Sequence, residues 1–596
     1  MGNPRHSSHS RRRRGRRLTP LTAEDLHRWQ TRRVTAWGRV YLGIVFALLA
    51  VVLGRVVQLK TSPDPRLADA VGSSMSQRLA LAPRGELLDR RGRPIAMTTI
   101  GHRLFVDPTL LEDPHTIGMD LAHLLGGDPA EIDRRVLPRM ERRYVVVREL
   151  LADAQVDTVR AAGLRGVAVE PRLVRHYPYG ALAAGIVGMV GFEHTGLSGF
   201  EHRFDGRLRP QAGRLRYLRD AERNSLWIDP DAYRPARPGA AVRLSLDLVI
   251  QQFVQATMDA AVEKYNAGGG RMVVFDCTTG EVLAMYDRLN PRAGWEEQTE
   301  DPGRERHPAL GRNRCVTDPY EPGSTFKPFV WAAATSLGRA TPEEVLPTPA
   351  ETPYRTSYGR SIRDSFYHAD STWLEVMLRS LNSGMAIVAE RLSHREMQES
   401  IKAYGFGERT GCSLPGESAG IMTTPRAWSD YTQSSVAMGH EIAVTPLQMV
   451  RAFSAFARDG TIPTPRLTAA TGADREPGLI RQAISPEIAL LTRTAMRDVM
   501  REGSGQRAQS SRYQLFGKSG TAQLPRREGG GYHERRYVSS FIAGAPYTQP
   551  RLVIVCVIDD PDRSRGHWGG AIAGPLVRDV MDHALGYLGV AEDGES

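Results

Sequence analysis

The 596-residue sequence predicts an α+β fold for its C-terminal half, preceded by a mixed domain and a single N-terminal membrane helix. Three observations support this prediction: a charge-free apolar run near the N-terminus, β-rich runs at both ends of the C-terminal half, and helical patterns beside those runs. With 41% hydrophobic residues, a chain of this length can bury more than one core, so two or more globular units are expected.

The N-terminus combines a basic segment with the apolar run. Residues 1–34 contain ten arginines against two acidic residues, while the net charge of the whole chain is +11. Since only about +3 is left for everything else, a nucleic-acid-binding body is not indicated. The run Val40–Gly54 has no charge and lies between Arg39 and Arg55. Because arginines near helix ends can snorkel, residues 35–59 are predicted to span a membrane.

The basic segment also predicts the orientation of this helix, with residues 1–34 as a cytoplasmic tail and the remainder outside the inner membrane. The alternative is a cleaved signal peptide, because the Ala-Asp-Ala sequence at residues 68–70 has the small residues of a cleavage site. That site lies well beyond the apolar run, past Pro63 and Pro65. The prediction is therefore a retained helix that crosses the membrane once.

A linker near residue 240 separates two globular units. Between residues 60 and 238, short strand-like runs alternate with helical stretches, which predicts a mixed domain. The prolines and the glycine of YRPARPGAAVRLSLD, residues 233–247, indicate the linker. The second unit is therefore assigned to residues 239–596.

The second unit is predicted to begin and end with helices that flank β-rich runs. Apolar residues at helical spacing predict a helix over Leu248–Lys264, and β-rich runs around residues 278–280 predict a hairpin. Near the C-terminus, YVSSFIAGAP and RLVIVCVID form a second predicted strand pair, followed by the helix GPLVRDVMDHALGYL. These elements predict a sheet flanked by helices from both ends of the unit, with a large helical insertion between them.

Four cysteines, Cys277, Cys315, Cys412 and Cys556, are widely separated and include no C-x-x-C pair. This spacing has no metal-binding signature, and buried free thiols are the expectation. Neither a metal ion nor another cofactor is therefore expected.

Three short motifs in the second unit combine nucleophilic, basic and amide groups. In EPGSTFKPF, Ser324 and Lys327 lie three positions apart, so a helix that begins near Gly323 would place both on one face. A Ser-Leu-Asn triplet follows at residues 380–382, and a Lys-Ser-Gly-Thr run at residues 518–521. Each motif alone has a plainer interpretation, as a solvated helix face, a capped turn or a loop. The order of the three motifs and their separation along the chain are more specific than any one of them.

With the three motifs in this order, the sequence resembles the class B penicillin-binding proteins, a family marked by S-x-x-K, S-D-N and K-T-G. The resemblance covers residues 84–585 through RGELLDRRGRPIA, RHYPYG, GLSGFE, DCTTGEVLAM, NRCVTDPYEPGSTFKPF, VTPLQMVRAFSAFARDG and FGKSGTAQ. It implies a penicillin-binding/serine β-lactamase-like transpeptidase domain, with an antiparallel sheet flanked by helices, and an elongated mixed pedestal domain at 60–238. Leu381 and Ser519 depart from the commoner family residues and leave the reactive groups in place.

The resemblance implies a serine acyl-enzyme mechanism. Ser324 would be the nucleophile, and Lys327 would take its proton once burial or a second cation, Lys518, has lowered the pKa of Lys327. Ser380 would relay a proton to the departing D-alanine. Asn382 would hold the peptide amide of the substrate.

The third motif is implied to bind the donor peptide. Lys518, Ser519, Gly520 and Thr521 would hold the terminal carboxylate by charge and hydrogen bonds. The backbone N–H groups of Ser324 and Thr521 would form the oxyanion hole, because N–H groups at a helix start lack intrahelical acceptors.

The implied activity is peptidoglycan D,D-transpeptidation, the cross-linking of stem peptides by an enzyme that β-lactams inhibit. The implied partners are D-Ala-D-Ala donors, amine acceptors, a membrane-embedded glycan polymerase and division-complex proteins. A polymerase partner is needed because pedestal blocks stand where some relatives carry a glycosyltransferase domain. No nucleic acid partner is expected.

Division-type and elongation-type members of the class share every catalytic motif. Pairs at residues 545–546, 550–551 and 560–561 and a predicted turn at 569–570 resemble the division type, so a septal role is predicted and a side-wall role is the alternative. Three other interpretations fit less well. A β-lactam sensor would need several membrane spans, a β-lactamase would lack the pedestal, and a silent scaffold would not keep all the reactive groups.

Overall fold

The computed structural model describes residues 23–62, 75–219, 225–290, 311–470, 480–526 and 529–594. Its first helix, α1 (Ala23–Thr61), contains a candidate membrane span from Arg28 to Thr61 that is not buried against protein. The predicted span at 35–59 lies within this helix. Residues 1–22 of the predicted tail, and the alternative cleavage site at 68–70, lie outside the described residues.

The longest strands belong to two five-stranded sheets. In chain order the strands are β1 (Met75–Ala80), β2 (Leu87–Leu88), β3 (Pro94–Val106), β4 (Val145–Leu151), β5 (Val167–His176), β6 (Gly213–Arg219), β7 (Ser225–Ile228), β8 (Val242–Arg243), β9 (Gly269–Asp276), β10 (Glu281–Leu289), β11 (Val345–Leu346), β12 (Tyr354–Arg355), β13 (Ser361–Ile362), β14 (Ser371–Thr372), β15 (Ile421–Met422), β16 (Ile442–Ala443), β17 (Thr461–Pro463), β18 (Ile480–Gln482), β19 (Phe516–Pro525), β20 (Tyr532–Ala545) and β21 (Leu552–Asp559).

The helices after α1 concentrate between β10 and β19, where the sequence predicts a helical insertion. In chain order they are α2 (Ile117–Leu125), α3 (Pro129–Val136), α4 (Asp153–Ala162), α5 (Ala184–Val187), α6 (Gly199–Arg203), α7 (Asp205–Leu208), α8 (Leu248–Lys264), α9 (Arg314–Thr317), α10 (Lys327–Ser336), α11 (Trp373–Arg379), α12 (Asn382–Ala389), α13 (His394–Ala403), α14 (Asp430–Ala437), α15 (Pro446–Ala457), α16 (Pro486–Glu502), α17 (Gly569–Ile572) and α18 (Gly574–Leu588).

The chain divides into two compact units, residues 1–80 with 214–235 and residues 81–213 with 236–596. In the first unit, β1, β6 and β7 form a sheet in that order, and β6 and β7 are antiparallel. The larger compact unit, residues 81–213 with 236–596, contains two further sheets, one on each side of the predicted linker.

The sheet before the linker has the order β4-β3-β2-β8, and β5 also pairs with β3. Apolar residues of α2, α3 and α4 pack with β3 and β4 in one core cluster. Part of the predicted linker is strand β8, which pairs in parallel with β2. The linker segment is therefore a component of this sheet, and a run of two residues was too short to predict it.

A buried ion cluster joins the segments around this sheet. The Glu201 carboxylate accepts from Arg84 Nε at 2.8 Å and from Arg175 Nε at 2.8 Å, and all three side chains are buried. Arg84 also donates to Asp205 at 2.7 Å. The fully buried Glu201 carboxylate is thus shared by two buried guanidinium groups, and Arg84 has Asp205 as a second partner.

The sheet after the linker has five strands, all antiparallel, in the order β10-β9-β21-β20-β19. Helices α8 and α18 pack on one face and the insertion helices α10 and α15 pack on the other. Strand β21 is buried along its whole length because alternate residues enter the two cores. This confirms the predicted hairpin at 278–280, the flanking helices and the α+β fold. Strand β19, which carries Lys518 to Thr521, lies at the edge of the sheet.

Two smaller expectations have different outcomes. All four cysteines are buried free thiols, as predicted. The turn predicted at Gly569-Gly570 is wrong, because these residues begin helix α17. Gly569 is needed there, since a Cβ on it would lie 2.1 Å from the carbonyl oxygen of Gly520.

Replacing Glu201 with alanine is expected to destabilise the protein by about 3–5 kcal/mol, because it leaves the buried Arg175 guanidinium without its carboxylate and leaves Arg84 with Asp205 alone. Glu131→Ala is the matched control, since Glu131 pairs with Arg135 on an exposed helix face and its loss should cost less than about 1 kcal/mol. Denaturant unfolding of the detergent-solubilised full chain measures both. Equal midpoints for the two variants would contradict a structural role for the cluster.

Candidate active site

Ser324 lies in a single 3-10 turn, Gly323–Phe326, that runs directly into α10 at Lys327. The helix predicted to begin near Gly323 is therefore present, with a tighter first turn. Gly323 has φ +56°, which favours glycine, and its N–H donates to the carbonyl of Gly439 at 3.0 Å. These two glycines fix the turn that carries the Ser324 hydroxyl.

The Lys327 side chain is fully buried, and its amine donates three hydrogen bonds. Its Nζ donates to the carbonyl oxygen of Ser380 at 2.7 Å, to Asn382 Oδ1 at 2.7 Å and to Ser380 Oγ at 3.3 Å. Among the described residues, none of its hydrogen bonds goes to Ser324. Burial lowers the pKa of Lys327 to about 7, and the negative charge of Asp364 opposes that shift. A substantial fraction of the amine is therefore neutral at pH 7.

Ser380 reaches Lys327 because its backbone is left-handed. It ends α11 with φ +60° and ψ 40°, a conformation that is uncommon outside glycine and costs of order 1 kcal/mol. The left-handed residue turns the chain sharply before α12. Both its carbonyl oxygen and its hydroxyl consequently meet the same amine.

Asn382 is the first residue of α12, and each end of its amide has a partner. Oδ1 accepts from Lys327, and Nδ2 donates to the carbonyl of Arg363 at 2.9 Å. The carboxylate of Asp364 accepts from the N–H of Asn382 and from the N–H of Ser383, the latter at 3.1 Å. Asp364 is a site residue that sequence reasoning missed, because it caps a helix that begins 18 positions later.

Lys518 is also fully buried, in strand β19. Its Nζ donates to Ser504 Oγ at 3.3 Å and to the carbonyl of Ser519 at 3.2 Å, and the Ser519 hydroxyl donates to Ser504 Oγ at 3.0 Å. Burial, and then repulsion from Lys327, lower the pKa of Lys518 well below its usual range. Burial is thus the largest cause of the lowered pKa of both Lys327 and Lys518. Ser504 was also missed by sequence reasoning.

The rest of the third motif packs against the turn that carries Ser324. A Cβ on Gly520 would lie 2.7 Å from the carbonyl oxygen of Pro322, so only glycine allows this approach. The Thr521 hydroxyl accepts from the N–H of Gly569 at 2.9 Å. Since β19 is the edge strand, half of its N–H groups face away from β20.

The predicted residues therefore form two groups that approach each other. Lys327, Ser380 and Asn382 are joined directly, and Lys518 and Ser519 are joined through Ser504. The two lysines interact electrostatically across the gap between the groups. A serine one turn before a buried lysine with a pKa of about 7, opposite the edge of a sheet, is the arrangement of a serine acyltransferase.

The family comparison agrees with this class. Residues 270–582 match the penicillin-binding protein transpeptidase domain, and residues 79–244 match the penicillin-binding protein dimerisation domain. The chain belongs to the class B penicillin-binding proteins. The resemblance found in the sequence is thereby confirmed, together with the transpeptidase fold and the pedestal domain.

Several relatives are similar to this chain over most of their length. The chain is 30% identical to stage V sporulation protein D of Bacillus subtilis (strain 168) over 92% of this chain and 84% of that protein. It is 28% identical to the peptidoglycan D,D-transpeptidase FtsI of Escherichia coli (strain K12) over 92% of each. The crystal structure of penicillin-binding protein 3 of Mycobacterium tuberculosis with aztreonam superposes with a TM-score of 0.64 at 26% identity, covering 86% of this chain and 98% of that chain.

Gly439→Ala is expected to slow acylation of the protein by a fluorescent penicillin by at least about tenfold, because misplacing a reacting group by about 1 Å can cost that much. Gly439 has φ +81°, and a Cβ on it would lie 2.0 Å from the carbonyl oxygen of Gly323. The control is Gly338→Ala beyond the end of α10, at φ +64° with no atom within 4 Å. Labelling rates of the two full-length variants that differ by less than twofold would show that the turn tolerates the contact.

Proposed function

We propose that this protein is a peptidoglycan D,D-transpeptidase that cross-links stem peptides through an acyl-enzyme on Ser324 and is inhibited by β-lactams. The observation that carries the proposal is the Lys327 amine, buried one turn after Ser324, bonded to Ser380 and Asn382, and with a pKa of about 7. An amine of this kind can take a proton from a serine hydroxyl near neutral pH. The name of the Escherichia coli relative, peptidoglycan D,D-transpeptidase FtsI, supports the same reaction class.

Acylation uses the first two motifs. Neutral Lys327 takes the hydroxyl proton of Ser324 as Oγ attacks the carbonyl carbon between the two terminal D-alanines. The backbone N–H groups of Ser324 and Thr521 stabilise the oxyanion that forms. When the peptide C–N bond breaks, the proton passes from Lys327 through the Ser380 hydroxyl, 3.3 Å away, to the departing amine.

Donor binding uses Asn382 and the edge strand. The Asn382 amide keeps one N–H and one lone pair beyond its bonds to Arg363 and Lys327, and these are available to the peptide amide of the substrate. Lys518, Ser519, Gly520 and Thr521 receive the terminal carboxylate of the donor peptide. In the second step an acceptor amine attacks the ester carbonyl and gives a proton to Lys327. The ester C–O bond to Ser324 then breaks, Lys327 returns the proton to Ser324 Oγ, and a new amide cross-link is left.

The arrangement in the cell is also proposed. We assign residues 1–34 to a cytoplasmic tail, 35–59 to the membrane helix, 60–238 to the pedestal and 239–596 to an extracytoplasmic transpeptidase domain. The arginine-rich tail supports this orientation. A membrane-embedded glycan polymerase and division-complex proteins would supply and place the strands to be cross-linked. A septal rather than a side-wall role is supported by the similarity to FtsI.

Fluorescent penicillin is expected to label the purified full-length protein covalently, and peptide mapping by mass spectrometry should find the adduct on Ser324. Ser324→Ala should abolish labelling, because the acyl bond of the proposed mechanism forms on Ser324 Oγ. The neighbouring Thr325→Ser variant is the control, since it keeps a hydroxyl that can bond to the Pro322 carbonyl. Labelling that persists in Ser324→Ala would contradict the assignment of Ser324 as the nucleophile.

The acylation rate is expected to rise with pH through about 7 and then level off, because the neutral amine of Lys327 is the base and its pKa is about 7. Lys327→Ala should slow acylation by at least about a hundredfold, whereas Lys402→Ala, on an exposed helix end, should leave the rate unchanged. Stopped-flow labelling between pH 5 and 9 measures both effects. A rate that falls across neutral pH would exclude a neutral lysine base.

Depletion of the protein is expected to produce long undivided cells, because septal cross-linking fails while side-wall growth continues. A fluorescent fusion to the N-terminal tail should accumulate at midcell, and the Ser324→Ala fusion should localise in the same way without restoring division. Rounded, swollen cells with label along the side wall would assign the protein to elongation instead.

A further inference from the structure

We infer that Asp364 is a positioning residue for acylation: its carboxylate fixes the start of α12, and with it the Asn382 side chain that holds the Lys327 amine, and it supplies the negative charge that this amine faces. The inference rests on the proposed function of Lys327 as base. It assigns a task to a residue that belongs to none of the three motifs.

The first observation is the way in which α12 is capped. The residue before the helix is Leu381, whose side chain has no oxygen and makes no capping hydrogen bond. The Asp364 carboxylate takes that place, because its Oδ1 accepts from the N–H groups of Asn382 and Ser383. A helix start without such an acceptor loses about 1 kcal/mol. Asp364 therefore anchors the backbone of the residue that bonds to Lys327.

The second observation concerns the Asn382 amide. Its Nδ2 donates to the carbonyl of Arg363, which fixes the amide so that Oδ1 faces Lys327. Arg363 and Asp364 are consecutive, so one short segment holds both the backbone and the side chain of Asn382. Displacement of this segment would move the oxygen that bonds to the Lys327 amine.

The third observation is the second oxygen of the carboxylate. Asp364 Oδ2 is buried and has no hydrogen-bond partner among the described residues. A buried carboxylate oxygen without a donor is costly unless a positive charge lies nearby. The carboxylate acts electrostatically on Lys327 and favours its protonated form.

Two charged groups face Lys327 among the described residues, Asp364 and Lys518. Burial disfavours the ammonium form of Lys327, and the Asp364 charge partly restores it. Burial, and then repulsion from Lys327, lower the pKa of Lys518 well below its usual range. Removing the Asp364 charge therefore leaves burial unopposed, and Lys327 becomes neutral at a lower pH.

The test compares two neutral replacements that can still cap α12. Asp364→Asn keeps an oxygen for the two N–H groups and removes the charge, and Asp364→Ser does the same with a shorter side chain in case the asparagine variant does not fold. The acylation rate of the detergent-solubilised full chain by a fluorescent penicillin is measured between pH 5 and 9. The acidic limb of the profile is expected to move to lower pH by about one unit, with the rate on the plateau within about threefold of the wild type.

Asp128→Asn is the matched control, because Asp128 caps α3 through a similar hydrogen bond to the N–H of Ala130 at 2.9 Å and lies in the sheet domain before the linker. Its profile should coincide with that of the wild type. An acidic limb that stays in place in both Asp364 variants overturns the inference. Failure of the proposed function is a separate result, because the wild type would then not be labelled on Ser324 at all.

Discussion

Burial of the Lys327 amine is the constraint on which the catalytic part of the structure depends. A fully enclosed amine needs acceptors, and they come from Ser380 and Asn382. Ser380 serves only because α11 ends in a left-handed residue, and Asn382 only because α12 begins two residues later. The junction between α11 and α12 is thus the part of the helical insertion that supplies the acceptors for this amine.

The sequence was most informative where a pattern repeats over many residues. Helices α8 and α18 were predicted over their full ranges because each carries an apolar stripe at helical spacing. The strand pairs at both ends of residues 239–596 were predicted because β-rich runs are bounded by turn residues. Strand β8 was not predicted. It has only two paired residues, which are too few to show an alternation of polar and apolar side chains, and its partner β2 is distant in the sequence.

The site shows the same limit at the level of single residues. Ser324 and Lys327 could be proposed because residues three apart meet within one turn, and the order of the motifs then identified the others. Asp364 and Ser504 act on residues 18 and 14 positions away, through loops whose path no short pattern encodes. Burial, which decides the pKa of both lysines, is a property of the assembled cores rather than of the motif.

The order of the strands has a consequence for biosynthesis. Strand β21 lies between β9 and β20, and its Asp559 pairs with Arg271 of β9, 288 positions earlier. The centre of the sheet is therefore occupied by one of the last segments that the ribosome makes. A nascent chain that stops before Leu552 leaves two apolar strands with open edges, the kind of surface that aggregates or attracts proteases. Premature termination products should consequently be cleared as unfolded chains, and shortened forms that still bind substrate should not accumulate.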